Sequence, residues 1–325
     1  MYHPRFKGDH YHMGLKYGSL LKRNKAELFG LNSLDKFQLN YGRQSEKILQ
    51  TYFPEACDEI RGMTDGLNIE YQNFSAWLMC ISVCLEAPGC TMVACKKDNR
   101  IVFGRNNDLP PIFQKISSSS LYAPANGYRF IANSSAFVNA EDGINEKGLA
   151  VGMTYVWARE LKPGFSSMFF VRYILEKCST AEEGLKAIQT IPIGGAYHLI
   201  MADRKTIIHV ECSPQDKRIS ERNFAIASNH FVSEKMKVHE ENKDLYHSHT
   251  RYKTAYEAIS KGIDTSIVNQ VKRILSGQTG FMCQYDKKEN FDTVWSSVYD
   301  LSHQKIYRAE GNPSRKKYEE DTRLF

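Results

Sequence analysis

The chain lacks a long apolar run. Its longest, residues 76–85, contains a serine and falls far short of the ~20 residues that span a bilayer. The opening Met1-Tyr2-His3-Pro4-Arg5-Phe6 carries polar and charged residues where a secretory signal needs an apolar core, so a cytoplasmic protein without membrane attachment is expected. A dense basic stripe is missing too. The 43 Lys and Arg are scattered among 37 Asp and Glu, and Arg315-Lys316-Lys317 is followed at once by Glu319-Glu320-Asp321. A net charge of +6 spread in this way argues against a nucleic-acid partner. No pair of CxxC units exists. Cys80 and Cys84, Cys90 and Cys95, or His247 and His249 have spacings a metal can use, but they read more simply as buried thiols and surface histidines. No metal and no cofactor is therefore expected. Eight cysteines without a secretory signal read as thiols, not a disulfide framework. No repeat, low-complexity tract or linker divides the 325 residues, and an apolar content of 42% supports a sizeable core.

What the chain does contain changes texture near residue 76. Residues 10–53 are polar with Leu, Tyr and Phe at helical spacing until Pro54 breaks them. A second helix runs over about 55–63 and ends at Asp65-Gly66. Residues 76–85 read as a buried strand or helix segment, broken by Glu86-Ala87-Pro88-Gly89. From Cys90 onward strands dominate. Hairpins are predicted for 91–95 with 101–104, 136–138 with 148–153, 198–201 with 206–210, and 293–299 with 305–308. Helices are predicted over 167–178, from a Thr180–Glu183 capping box, and over 251–259 and 267–275. Strand pairs separated by helix pairs predict an α+β fold, with antiparallel sheets covered by helices.

The chemistry gathers at Pro88-Gly89-Cys90-Thr91. Gly89 offers an uncrowded carbonyl, and the thiol of the next residue can attack it, moving the acyl group from nitrogen to sulfur. Hydrolysis then frees an α-amine on Cys90. That amine titrates near ~8, so it is partly neutral at working pH and can serve as base to its own thiol. Gly-Cys alone reads more simply as a buried structural cysteine. The neighbourhood adds weight: a hairpin turning at Asp98-Asn99 sets position 90 opposite about 107, within two residues, bringing Arg105 and Asp108 within reach. Arg105-Asn106-Asn107-Asp108 also reads as a plain polar strand exit.

Cys90-Thr91 followed by Gly104-Arg105-Asn106-Asn107-Asp108 resembles the start of the mature chain in choloylglycine hydrolase-like N-terminal nucleophile enzymes. These include bile salt hydrolases, penicillin V acylases and isopenicillin N acyltransferases. Three further segments agree: Ile144-Asn145-Glu146-Lys147-Gly148-Leu149-Ala150, Ala227-Ser228-Asn229-His230-Phe231, and the spaced glycines Gly8, Gly14 and Gly18. With 89 residues ahead of Cys90, the chain is most similar to the acyltransferase branch, whose long propeptide is cut at Gly-Cys and stays bound.

The resemblance implies a four-layer αββα sandwich, a helical propeptide over 1–89 packed on the same domain, and a catalytic chain over 90–325. It implies a self-processing cysteine amidase or acyltransferase acting on a linear non-peptide amide through a Cys90 thioester. Partners would be a small N-acylated substrate, an acyl-CoA or amine co-substrate, and the protein's own propeptide. In this reading Gly89-Cys90 is the cleavage point and Cys90 the nucleophile. Arg105 supports the thiol electrostatically, Asp108 holds amine or thiol, and Asn229 donates to the oxyanion, a contribution worth ~3 kcal/mol in comparable sites. Arg251 matches a helix arginine of the family. The second oxyanion donor falls somewhere in Thr154-Tyr155-Val156-Trp157. Asn145 reads as a turn residue and His230 as structural. Phe137, Tyr155, Trp157 and Phe165 are candidates for an acyl pocket, and core packing explains them equally. Leu109-Pro110-Pro111 departs from the aromatic residue that many relatives have after the aspartate. The alternatives are a bile-salt or penicillin V type amidohydrolase, a non-catalytic binding protein on the same fold, and a Cys-His protease using His230.

Overall fold

A computed structural model describes residues 1–85, 89–241 and 243–325. The break expected at Glu86-Ala87-Pro88 lies outside the described residues. Strand β1 (Arg5–Gly8) leads into helices α1 (His10–Arg23), α2 (Lys36–Tyr52), α3 (Pro54–Leu67) and α4 (Tyr71–Cys80). The stretch 10–53 is thus two helices, and α3 runs through Asp65-Gly66 instead of turning there. The reason is backbone contact between α1 and α3. A Cβ on Gly14 or Gly18 would come within 1.9 Å of the Glu59 carbonyl oxygen or 2.1 Å of that of Met63, and one on Gly62 or Gly66 would strike α1 in return. Glycine alone permits that approach, and α3 stops only at Asn68, in the left-handed region at φ 60°. Residues 76–80 are the end of α4 and 81–85 a turn, so the strand alternative for that segment is excluded.

The chain continues through β2 (Gly89–Lys97), β3 (Arg100–Leu109), β4 (Ser118–Pro124), β5 (Phe130–Ser134), β6 (Asp142–Asn145) and β7 (Ala150–Val156). Helices α5 (Ser167–Lys177) and α6 (Ala181–Thr190) precede β8 (Ala196–Ala202), β9 (Ile207–Cys212), β10 (Lys217–Glu221) and β11 (Phe224–Ala227). Then come α7 (Glu234–Lys237), α8 (Ser248–Ser260), α9 (Ile267–Leu275), β12 (Asp292–Asp300), β13 (Lys305–Ala309) and β14 (Glu319–Glu320). The hairpins β2–β3, β8–β9 and β12–β13 form where expected. The 136–138 pairing does not form: β7 pairs with β6, and 136–138 are a turn with Phe137 at φ 62°. At α6, Thr180 accepts from the Glu183 amide, but the Glu183 carboxylate turns to Ser179, so the cap is half a box.

Two sheets result, ordered β1-β4-β5-β6-β7-β8-β9-β10 and β11-β2-β3-β12-β13-β14. Helices α5 and α6 cover the first, α8 and α9 the second. Between the sheets, Met92 and Phe103 meet Ile144 and Ile200 in a fully buried layer. The architecture is an α+β sandwich of helix, sheet, sheet, helix. Residues 1–85 belong to the same body. Strand β1 pairs in parallel with β4, and the buried Arg172 of α5 reaches Glu59 of α3 at 2.7 Å and Glu176 at 3.0 Å. Among the described residues no helix is long and apolar enough to cross a membrane.

Candidate active site

Cys90 is the second residue of β2, and the hairpin sets it directly opposite Asn107, with Met92 opposite Arg105. Opposed residues of an antiparallel pair share a face and the next pair takes the other. Cys90, Asn107 and Arg105 therefore face the space between the sheets, whereas Thr91 and Asp108 face the α8–α9 layer. All five are buried. Arg105 enters the inter-sheet layer because β7 carries glycine there: a Cβ on Gly152 would lie 3.2 Å from Arg105 Cδ and 2.8 Å from the Phe103 ring.

On the inner face, Arg105 Nη2 donates to Cys90 Sγ at 2.8 Å and to Asn107 Oδ1 at 2.8 Å. Its Nε donates to the Met153 carbonyl at 2.8 Å, and Nη1 reaches Asp142 at 3.2 Å. Glu141 stands 3.5 Å away. Asp142 is itself held by Trp295, Asn133 and Tyr299, and Glu141 by Ser135. Burial opposes charge on Arg105, yet the thiol and the two carboxylates hold its pKa above the ordinary value. Burial raises Glu141 in spite of Arg105. Burial also pushes the Cys90 thiol up to about 12, against the pull of Arg105 and Arg251. In the uncut chain the thiol is thus protonated at neutral pH.

On the outer face, Arg251 of α8 binds the backbone around Cys90. Its Nη1 donates to the Cys90 carbonyl at 2.5 Å and to Thr91 Oγ1 at 2.8 Å; Nη2 donates to Asn229 Oδ1 at 2.7 Å, and Nε to the Tyr246 carbonyl at 2.8 Å. The Cys90 amide donates to the same Asn229 Oδ1 at 3.0 Å. Asn229 lies just past the end of β11, its backbone amide bonded to Ser248 at the start of α8. Its Nδ2 donates to the Tyr155 carbonyl at 2.9 Å. Asp108 accepts from Thr293 at 2.5 Å and Tyr285 at 2.9 Å and stands 3.8 Å from Arg251. Burial raises its pKa, outweighing Arg251 and both hydroxyls.

Cys90, Arg105, Asn229 and Arg251 are thus brought together, and Asp108 joins them through Arg251 from the face opposite the thiol. His230 bonds Ser248 and Ser228, and burial lowers its pKa to about 3. Among the pocket candidates, Phe137 lines an apolar cavity. Tyr155 and Trp157 pack edge-on against each other, with Lys243 over the Trp157 ring, and Phe165 sits in the core beside Phe170. Gly89 touches a stacked pair, Tyr246 and Phe291, at 4.0 Å between rings, and a Cβ there would lie 2.9 Å from Phe291. Sequence reasoning missed Asn107, although the register pointed at it, and also Glu141, Asp142, Tyr285 and Thr293.

Solved structures with similarity to the chain include penicillin V acylase from Agrobacterium tumefaciens, at 16% identity over 68% of this chain and 82% of that one, TM-score 0.47. Two variants of conjugated bile acid hydrolase from Clostridium perfringens match at 13% and 12% identity. They cover 72% and 71% of this chain and 96% and 92% of theirs, with TM-scores of 0.45 and 0.47. No curated protein sequence matches the chain significantly. The family model described as acyl-coenzyme A:6-aminopenicillanic acid acyl-transferase matches residues 95–315, which takes in Arg105, Asp108, Asn229 and Arg251 and begins just after Cys90. With about two thirds of its length matched, the chain belongs to that acyl-transferase family.

Proposed function

We propose that the protein cuts itself between Gly89 and Cys90 and then uses Cys90 as an N-terminal nucleophile to cleave or transfer the acyl group of a linear, non-peptide amide. The observation that carries this reading is the doubly held cysteine. Its sulfur accepts from Arg105 at 2.8 Å, and its nitrogen, which cleavage would turn into an amine, donates to Asn229 Oδ1 at 3.0 Å.

In processing, Sγ adds to the Gly89 carbonyl carbon, the C–N bond breaks, and the thiol proton leaves with the Cys90 nitrogen. Water hydrolyses the resulting thioester, releasing the Gly89 carboxylate and restoring the thiol. In catalysis the α-amine, neutral in part near its ordinary value of ~8, takes the thiol proton. The thiolate attacks the substrate carbonyl. The C–N bond breaks as the ammonium returns its proton to the departing amine. Water then releases the acid, or an amine acceptor takes the acyl group from the Cys90 thioester.

Arg105 stabilises the thiolate, and Arg251 fixes the Cys90 carbonyl and Asn229. Asp108, opposite Gly89 in register, offers negative charge to the new ammonium. Asn229 serves first as the acceptor for the nitrogen. Donation to an oxyanion from Nδ2 would have to compete with the Tyr155 carbonyl. Residues 1–89 stay bound after the cut, supported by β1 within the sheet and by the Glu59–Arg172 pair. Eight unpaired cysteines support a reducing, cytoplasmic setting.

The test is to incubate the protein with N-acyl amides and acyl-CoA donors and to look for an acyl adduct on the Cys90 peptide by mass spectrometry. The adduct is expected in the wild type and absent in Cys90→Ala. An adduct on another residue, or turnover by Cys90→Ala, would refute the proposal.

A further inference from the structure

We infer that Asn107 is a catalytic residue: its side-chain Nδ2 donates to the oxyanion that forms when an acyl group joins or leaves Cys90 Sγ, in self-cleavage and again in turnover. This rests on Cys90 being the residue that is acylated.

The backbone around Cys90 sets the side on which the acyl oxygen falls. Strand β2 lies between β11 and β3. Cys90 directs both of its backbone groups toward the β11 side, where its N–H donates to Asn229 Oδ1 at 3.0 Å and its carbonyl accepts from Arg251. In a planar trans peptide the carbonyl of one residue and the N–H of the next point in opposite directions. The Gly89 carbonyl therefore turns away from Asn229, toward β3. Cys90 and Asn107, opposed in register with the Cys90 backbone groups directed elsewhere, form a non-hydrogen-bonded pair. Side chains stand closest in such pairs, with Cα atoms ~4.5 Å apart. Sulfur takes the acyl group on the inner face, and the β3 side chain at that level is Asn107.

The amide of Asn107 is oriented for this role. A guanidinium donates and never accepts, so the Asn107 atom 2.8 Å from Arg105 Nη2 is the oxygen. The Cys90 thiol donates to that same Oδ1 at 3.4 Å. Nδ2 is thereby turned away from Arg105; it is buried and has no partner among the described residues. A buried donor without an acceptor destabilises a fold. An acceptor that arrives with the reaction accounts for its place here. The other amide at the thiol is already spent: Asn229 Nδ2 donates to the Tyr155 carbonyl at 2.9 Å, and its Oδ1 takes the Cys90 nitrogen and Arg251. When Sγ adds to a carbonyl carbon, the π pair moves onto oxygen and Nδ2 donates to the resulting anion. The pair returns as the C–N bond breaks, or the C–S bond when water has attacked the thioester. One asparagine thus holds the nitrogen of Cys90, the other the oxygen of the acyl group it carries. Arg105 fixes the second in advance, so no reorganisation accompanies the charge.

The experiment compares the full-length wild type with Asn107→Leu, which removes the donor, and Asn107→Ser, which keeps a shorter one, each checked for folding by circular dichroism. Intact mass against time gives the rate of self-cleavage, and p-nitrophenyl acetate gives kcat and KM per cut chain. Iodoacetamide labels Cys90 by displacement at a saturated carbon, a reaction with no oxyanion. Asn107→Leu should lower kcat and the self-cleavage rate about a hundredfold or more with KM little changed, and Asn107→Ser should lower them less. Labelling should hold or quicken, because Oδ1 favours the protonated thiol. Rates unmoved in the folded variants, equal losses in Asn107→Leu and Asn107→Ser, or labelling that falls with kcat would overturn the inference and leave Cys90 as the nucleophile. Wild-type turnover with no acetyl adduct on Cys90 would overturn both.

Discussion

Two fully buried arginines serve different layers of this molecule. Arg172 joins residues 1–85 to α5, with Glu59 at 2.7 Å, Glu176 at 3.0 Å and the Tyr122 ring beneath its guanidinium at 4.2 Å. Arg105 stands between the sheets with Asp142 at 3.2 Å and Glu141 at 3.5 Å. Both guanidiniums face two carboxylates in the absence of solvent. At Arg172 the balance closes. Burial pulls Glu176 upward, but the hydrogen bond from His10 and the charge of Arg172 hold its pKa below the ordinary carboxylate value. At Arg105 it does not close. Burial lifts Glu141, and Asp108 beside Arg251, above their ordinary values; one Arg105 amino group is spent on sulfur, and the buried Asn107 Nδ2 has no partner among the described residues. The first network is tied for cohesion. The second keeps a cation against a thiol while its neighbour Glu141 stays raised, as expected where charge is held ready for chemistry.

Removing each cation is the strongest way to break that comparison. Either Arg105→Met or Arg172→Met strands buried carboxylates and should destabilise the fold by ~3–5 kcal/mol, read as a drop in denaturant midpoint. Only Arg105→Met should also reduce kcat/KM, by about a hundredfold or more in the protein that remains folded. Equal kinetic damage from Arg172→Met would dissolve the distinction.

A smaller effect comes from crowding. Gly152→Val puts side-chain carbons where Arg105 Cδ and Phe103 stand, and should destabilise by ~1–3 kcal/mol while moving the guanidinium off the sulfur. Iodoacetamide labelling of Cys90 against pH should then shift upward, because Arg105 pulls the thiol pKa down. An unchanged profile would mean that Arg105 contributes little to the thiol.

The smallest expected signal is in pH dependence. Glu176 is depressed on folding, so it stabilises above its unfolded value of ~4.3, and that contribution is lost as pH falls through the lower folded value. Glu141 is raised, so its contribution runs the other way, declining as pH rises from the unfolded value through the folded one. Glu176→Gln should flatten the acid limb of a melting-temperature profile, and Glu141→Gln the limb above it. Identical slopes in both variants would contradict the contrast between the two networks.

Legibility in the sequence followed how local each constraint is. The Cys90–Asn107 register could be read because two turn residues fix a hairpin. Parity along the strand also separates Asp108 from Arg105, a distinction lost when both were placed beside the thiol. Glu141 and Asp142 were out of reach, since they meet Arg105 only when one sheet stacks on the other. The alternation test failed at 136–138, an apolar run that is a turn with Phe137 in the left-handed region. The spaced glycines were visible as a motif, but their purpose needed α3. Only there do Glu59 and Met63 offer the carbonyls that Gly14 and Gly18 approach.

The most direct measurement of the central claim is the intact mass of purified wild type beside Cys90→Ala. Two wild-type chains are expected, one ending at Gly89 and one beginning at Cys90, that co-elute under native conditions and separate on denaturation, with Cys90→Ala a single chain. A wild type that stays whole, or a Cys90→Ala variant cut at the same bond, would contradict it.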